Sequence, residues 1–270
     1  MRLTDVLALD LIGLLASFTF LGYSSWRDIA SREVPDRVWL VSYPVGLLLI
    51  AVRLIVETSS WMLILISVAS AVGLSVALPY LGLWGGADGK GFICLALMNP
   101  MIPALGDSFS HIVNPFFPLV VFSNAYVASL ASMLYPIQRN LRAVPTHELF
   151  EGLEDERFLR KMAAFFTGYR VQVRELESNP FLFPLESVDH QGSTPRRHFI
   201  FELRVDSDRR KELADIKAAV NSGLVRGTVW ASPGLPFLLF VTVGLGLSIL
   251  FGDIVWRAFS ALARYAGTLT

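Results

Sequence analysis

The sequence predicts an all-α polytopic membrane protein of six transmembrane helices, with a small α+β cytoplasmic domain inserted before the last of them. Three observations carry this reading. Hydrophobic residues make up 53% of the 270 positions and charged residues only 17%, against about 25% charged in soluble domains, and the mean hydropathy is +0.52. Six apolar runs approach the ~20 residues a helix needs to cross a bilayer. Between residues 136 and 230 the composition turns to that of a soluble domain rich in charges of both signs.

The six runs cover residues 6–23, 38–56, 61–83, 91–105, 113–135 and 235–251. The fourth is short and ends in the proline-punctuated Asn99-Pro100-Met101-Ile102-Pro103. Asp5 stands where a secretory signal wants a clean basic start and no small-residue cleavage motif follows, so the first run is expected to be a retained span. Arg27, Arg32 and Arg37 follow the first run, Lys90 follows the third, and fifteen Lys and Arg lie in the long segment after the fifth. The alternate connections, 57–60 and 106–112, hold none, although Arg53 lies just before the first of them. The positive-inside bias therefore puts these basic segments in the cytoplasm and both termini outside.

In the soluble segment, residues 146–167 carry a helical apolar stripe, 169–176 and 198–205 alternate as strands do, and Asp206-Ser207-Asp208 precede a helix to about 220. Residues 225–231 are read as a further strand. The domain division is thus 1–135 for the membrane domain, 136–230 for the soluble domain, and 231–270 for the final span and an interfacial tail. In that tail Trp256, Phe259, Leu262 and Tyr265 recur at helical spacing. Net charge sums to zero, which argues against a nucleic-acid partner. The lone Cys94 forms no intramolecular disulfide and builds no paired-thiolate metal site.

Two stretches carry the chemistry. One is Leu83-Trp84-Gly85-Gly86-Ala87-Asp88-Gly89-Lys90-Gly91, an acid and a base among glycines between apolar runs; the other is Ser25-Trp26-Arg27-Asp28-Ile29-Ala30-Ser31-Arg32-Glu33-Val34-Pro35. Both place an aspartate at a cytoplasmic span end. If the helices pack side by side, Asp28 and Asp88 form a carboxylate dyad that shares one proton, because two like charges in a poorly hydrated site do not both ionise. Such a pair supplies the base and the acid for peptide hydrolysis without a metal or a nucleophilic side chain. Gly85, Gly86, Gly89 and Gly91 would let an extended substrate approach closely. The plainer alternative is a tight turn whose charges face lipid head groups. The four histidines are scattered, none spaced as a ligand pair.

These motifs resemble those of the GxGD aspartic proteases of the type IV prepilin peptidase family, and of its archaeal branch, the preflagellin and prepilin peptidases, most of all. Val34-Pro35-Asp36 stands where the family's first motif has Ile-Pro-Asn, and Ala87 replaces the second glycine of Gly-x-Gly-Asp-x-Lys; neither departure removes an acid. The resemblance implies cleavage of a short basic class III signal peptide from preflagellins (prearchaellins) and prepilin-like precursors, with Asp28 and Asp88 catalytic and no cofactor. Bacterial relatives add a methyltransferase activity and often a domain with paired CxxC motifs. This chain lacks both domain and cysteines, so peptidase activity alone is expected.

Lys90 is then a candidate to tune the dyad or hold substrate backbone, or else an orientation anchor. Glu33 and Asp36 are candidates to meet a basic leader, or else solvated loop charges. Arg27, Arg32 and Arg37 are read as orientation signals, Asp10 as a helix-pairing or snorkelling acid near the outer end, and Trp84 as an interfacial anchor. Two rivals stand: a presenilin-like intramembrane protease, in which a Tyr usually precedes the first Asp where Arg27 stands here, and a cation- or proton-binding transporter, which would want more acids in mid-span.

Overall fold

The computed structural model describes all residues except 1–2, 82–83, 108–113, 144–148, 190–195, 202–205, 224–226 and 268–270. The chain divides into two compact units, Met1–Ser129 with Pro236–Thr270, and Leu130–Leu235.

The first unit is helical. Its elements are α1 (Leu3–Ser31), α2 (Asp36–Val56), α3 (Trp61–Tyr80), α4 (Gly86–Met98), α5 (Ala104–Asp107) and α6 (Phe117–Ser129). At ~1.5 Å per residue the 29 residues of α1 extend beyond the ~30 Å hydrocarbon core, so one end of the helix projects. Four helical stretches are long and apolar enough to cross a membrane: Thr4–Ser31, Asp36–Val56, Trp61–Tyr80 and Phe117–Ala143. A fifth arises if Phe237–Phe251 and Ile254–Gly267, bent by 51° at a short break, count as one span.

The expectation of six spans therefore meets four or five candidate helices, and the difference lies chiefly at residues 91–105. There α4 is only 13 residues long, about 20 Å at the α-helical rise, and ends where Pro100 bars continuation. Length is replaced by burial: α4 packs against α1, α2, α3 and α6, and Phe92, Cys94, Leu95, Ala96, Leu97 and Met98 are enclosed. The broken backbone beyond it is satisfied internally, as apolar surroundings demand. Asn99 donates to the Gly13 carbonyl (3.2 Å) and the Ser17 hydroxyl (2.6 Å), and the Pro100 carbonyl accepts from Ser67 (2.5 Å).

Asp10 is a helix-pairing acid and does not snorkel. It is 1% exposed and ion-paired to Arg53 of α2. Arg53 also meets Glu57 at 2.8 Å, and Asp10 accepts the Ala104 backbone N–H at 2.9 Å.

The second unit continues with α7 (Leu134–Ala143), α8 (Phe158–Thr167), β1 (Tyr169–Gln172), α9 (Val173–Ser178), β2 (Leu182–Pro184), β3 (Glu186–Asp189), β4 (Arg196–Phe199), α10 (Asp206–Asn221) and β5 (Thr228–Pro233). In its antiparallel three-stranded sheet β5 is central between β1 and β2, with Tyr169 opposite Ala231 and Leu182 opposite Pro233. A separate pair joins β3 and β4. Trp230 of β5 is fully buried, stacked on Phe150. Its backbone N–H donates to Glu186, whose carboxylate also holds Arg197 at 2.6 Å.

Several elements differ from the periodicity reading. The helix expected over 146–167 is interrupted: Leu149 is helical, residues 150–157 form turns in which Gly152 takes φ +79°, and α8 runs from Phe158 to Thr167. Residues 144–148 lie outside the described set. The strand expected over 169–176 stops at Gln172 and becomes α9, whose Val173 and Leu176 are buried at a three-residue spacing that shares one face of a helix but would fall on opposite faces of a strand. The strand expected over 198–205 is Arg196–Phe199, and 202–205 are not described. The chain then returns to the first unit through α11 (Phe237–Phe251) and α12 (Ile254–Gly267). On α12, Trp256, Phe259, Leu262 and Tyr265 are exposed.

Candidate active site

Asp28 sits in the last turn of α1, beyond the apolar run. The helix ends there because Arg32 adopts φ 56°, its N–H donating to the Asp28 carbonyl at 3.1 Å. Pro35, with φ −59°, then presets the entry to α2. A carboxylate at a helix C-terminus is opposed by the macrodipole, and two features offset this. Arg32 lies 4.0 Å away, and the Leu238 backbone N–H, in the first turn of α11, is directed at the Asp28 carboxylate. That N–H is one of the donors a helix start leaves unused. Asp28 Oδ2 is buried and accepts no hydrogen bond among the described residues, so an acceptor stands ready for a group the fold does not supply.

Asp88 occupies the first turn of α4, where an acid suits the dipole, and its carboxylate accepts the Gly85 N–H at 2.9 Å. Burial pushes its pKa up to about 7; the Gly85 N–H opposes this, Asp28 adds to it, and Arg32 pulls back. Asp28 and Asp88 therefore lie within electrostatic reach of each other, brought there by the packing of α4 on α1.

Beside Asp88 runs an aromatic wall. Trp84 is 7% exposed and therefore a core residue, not an interfacial anchor. Its ring packs on Phe92, Phe122 and Phe237 with centroids 5.2–5.6 Å apart. Its Nε1 donates to the Tyr126 hydroxyl at 3.1 Å, satisfying the one polar atom of a buried indole.

Gly89 turns out to serve packing. A Cβ there would meet the Ser75 carbonyl oxygen of α3 at 2.8 Å, so α4 lies on α3 by way of a bare backbone. Gly91 does the same toward Leu238 of α11. Gly85 and Gly86 are exposed at the start of α4. Gly89→Ala is expected to push α4, and Asp88 with it, away from α3. Overpacking costs on the order of 1–3 kcal/mol. Thermal unfolding checks this; an unchanged unfolding temperature would refute it.

Lys90 and Asp36 pair with each other at 2.8 Å, both substantially exposed, and so tie the start of α2 to the start of α4. Lys90 thus braces the two motifs and does not contact the aspartates. Glu33 remains exposed beside Arg32. Sequence reasoning missed Arg32 as a site residue; its signal was the four-residue offset from Asp28, one helical turn, at the point where the helix must end. Among the described residues no three His, Cys, Asp or Glu side chains converge as metal ligands would.

Comparison with known proteins adds to this geometry. Residues 15–135, which include both aspartates, match the model of the type IV leader peptidase family, and residues 160–254 match that of the archaeal peptidase A24 C-terminus, type II. The chain is 25% identical over 255 residues to the preflagellin peptidase of Methanococcus voltae, covering 91% of this chain and 94% of that one. It is 30% identical over 131 residues to the prepilin peptidase EppA of Methanothermobacter thermautotrophicus, covering 46% of this chain and 33% of that one.

Proposed function

We propose, from the match of residues 15–135 to the type IV leader peptidase family and of residues 160–254 to the archaeal peptidase A24 C-terminus, that this chain is a membrane aspartic endopeptidase of that family, one that removes the short basic leader from preflagellin and prepilin-like precursors. The observation that carries the mechanism is the approach of Asp28 and Asp88, two acids from separate helices with Arg32 facing both.

In the resting pair one carboxyl keeps its proton and the other is ionised. The ionised carboxylate takes a proton from water as that water attacks the scissile carbonyl, while the protonated partner donates to the carbonyl oxygen. Return of a proton to the leaving nitrogen completes cleavage and restores the pair. No cofactor is assigned, and no methyl transfer, since the paired cysteine motifs of the bacterial methyltransferases are missing from the sequence.

We place the aspartates at the cytoplasmic face, where the Lys/Arg asymmetry puts them. On that topology α4 and α11 complete the set of six apolar segments, α4 as a half-length helix enclosed by protein. Exposed Glu33 is the acid assigned to meet a basic leader, whereas Asp36 is already engaged by Lys90. The soluble domain carries no catalytic role in this reading.

Cleavage of a leader-bearing prearchaellin by the chain in membranes or detergent, followed by product mass, tests the function. A shorter product starting at the edge of the substrate's apolar segment supports it; failure to cut any leader-bearing precursor refutes it. The pH dependence follows from Asp88. With its pKa at about 7, the pair holds one proton below that value and loses it above. Turnover is therefore expected to fall on an alkaline limb near pH 7, tenfold per unit once past it. A flat profile to pH 9 would refute the shared proton.

A further inference from the structure

We propose that Arg32 is a positioning residue of the aspartate pair, its guanidinium held against the ionised carboxylate by a backbone conformation that the sequence maintains for that side chain. The inference rests on the two-aspartate reading and goes beyond it, since Arg32 as an orientation charge or a helix end would have no part in turnover.

The argument begins with the backbone. Five described residues have positive φ: Gly152, Gly223, Gly227, Gly252 and Arg32. Left-handed backbone is costly for any residue with a Cβ and free for glycine. A helix that ends by turning left-handed therefore usually places glycine there. Among the described residues this chain follows that rule at two helix ends, Gly223 and Gly252, uses glycine for its other left-handed turns at Gly152 and Gly227, and departs from it at one site, immediately after the helix that carries Asp28. Strain kept at a single position beside reacting groups points to its side chain.

What the side chain does there is visible in its surroundings. Arg32 Nη1 lies 4.0 Å from Asp28 Oδ1, with the Arg32 side chain 26% exposed and that of Asp28 14%. The guanidinium is also within electrostatic reach of Asp88 of α4. Among the described residues, the Leu238 N–H of α11 is directed at Asp28, the Gly85 N–H donates to Asp88, and the Tyr126 hydroxyl of α6 is within electrostatic reach of Asp88. The neighbouring cations are directed elsewhere, Lys90 to Asp36 and Arg27 over the Trp26 ring. The four-residue offset puts residue 32 one helical turn beyond Asp28, on the same face, and the left-handed backbone at Arg32 ends the helix at that point. A guanidinium is permanently charged and presents several donors in a fixed plane, so it stabilises whichever carboxylate is ionised without itself exchanging a proton.

The test separates the backbone from the side chain. Arg32→Gly suits the left-handed turn better than arginine and removes the guanidinium. Cleavage of a leader-bearing precursor is measured from pH 4 to 9 for wild type, Arg32→Gly, Arg32→Gln and Arg32→Lys, with thermal unfolding of each. With the cation gone the pair takes up protons more readily, so both limbs of the profile move to higher pH by about one unit. Peak turnover is expected to fall at least tenfold while Arg32→Gly unfolds no earlier than wild type, and Arg32→Lys is expected to recover most of the shift. A wild-type profile in a folded Arg32→Gly or Arg32→Gln overturns the proposal. Asp28→Asn and Asp88→Asn run alongside: if either still cuts, the two-aspartate reading fails; if neither cuts and the Arg32 variants match wild type, only the role of Arg32 falls.

Discussion

Replacing either Asp28 or Asp88 by asparagine is expected to reduce leader cleavage to background, a loss of about 10³–10⁴-fold, as befits removal of a proton-transfer group. The asparagine keeps the size of the side chain and most of its hydrogen-bonding capacity, so the change is confined to proton exchange. On the proposed mechanism the two carboxylates act as a unit, so the double variant should be no worse than either single one.

Stability supplies an independent readout. The Asp88 carboxyl has its pKa raised by burial from 3.8 to about 7, so the stability its neutral form contributes is full below the unfolded value and is lost as pH rises through the folded one. Asp88→Asn carries no such ionisation. Relative to wild type it should therefore gain stability steadily from about pH 4 to 7 and hold that gain above, while cutting nothing. An enzyme that is inactive yet more robust at pH 8 would mark Asp88 as kept for chemistry at the expense of the fold. Retained cleavage in either single variant would sink the mechanism.

Asp28 and Asp88 were legible in the sequence because an acid at the end of an apolar run is costly, and costs of that kind stand out in composition. The charges around them were not, since a side chain's role there depends on where the backbone turns. Arg32, Arg27 and Lys90 look alike as positive charges near span ends, yet one faces the aspartates, one lies over an aromatic ring and one braces Asp36. Gly89 reads as room for a substrate, and only the 2.8 Å approach to the Ser75 carbonyl reveals that α3 fills that room. Hydropathy likewise counts residues without knowing what surrounds them. The run at 91–105 is apolar enough for a span, but α4 meets protein on its sides and Pro100 ends it. In the second unit, Tyr169, Val171 and Val173 alternate as a strand does, whereas the buried pair Val173 and Leu176 is spaced for one face of a helix, and the chain changes period between them.

Arg53→Met is expected to destabilise the first unit more than any single loss of an apolar contact. Arg53 is 3% exposed and holds Asp10 of α1 and Glu57 at the end of α2, while Asp10 fixes the Ala104 N–H beyond α4. One cation thus satisfies two carboxylates and, through one of them, the segment where the broken helix resumes. Methionine fills similar volume but leaves two enclosed acids facing each other with nothing between. Glu57 is already pushed upward, first by its burial and then, against the pull of Arg53, by Asp10; without the cation it would take up a proton and Asp10 would stand alone. Breaking a buried ion pair from one side costs about 3–5 kcal/mol, which for a chain of this size lowers the unfolding temperature by roughly 10 °C. Exchanging all three residues for apolar ones of similar volume should recover much of that loss, because the penalty lies in the unpaired charge and not in the absence of the pair. Equal melting of Arg53→Met and wild type in detergent would show the network to be dispensable. Loss in the single variant with recovery in the triple would locate the cost in the two stranded carboxylates, and would explain how an arginine so near the end of an apolar span stays turned inward.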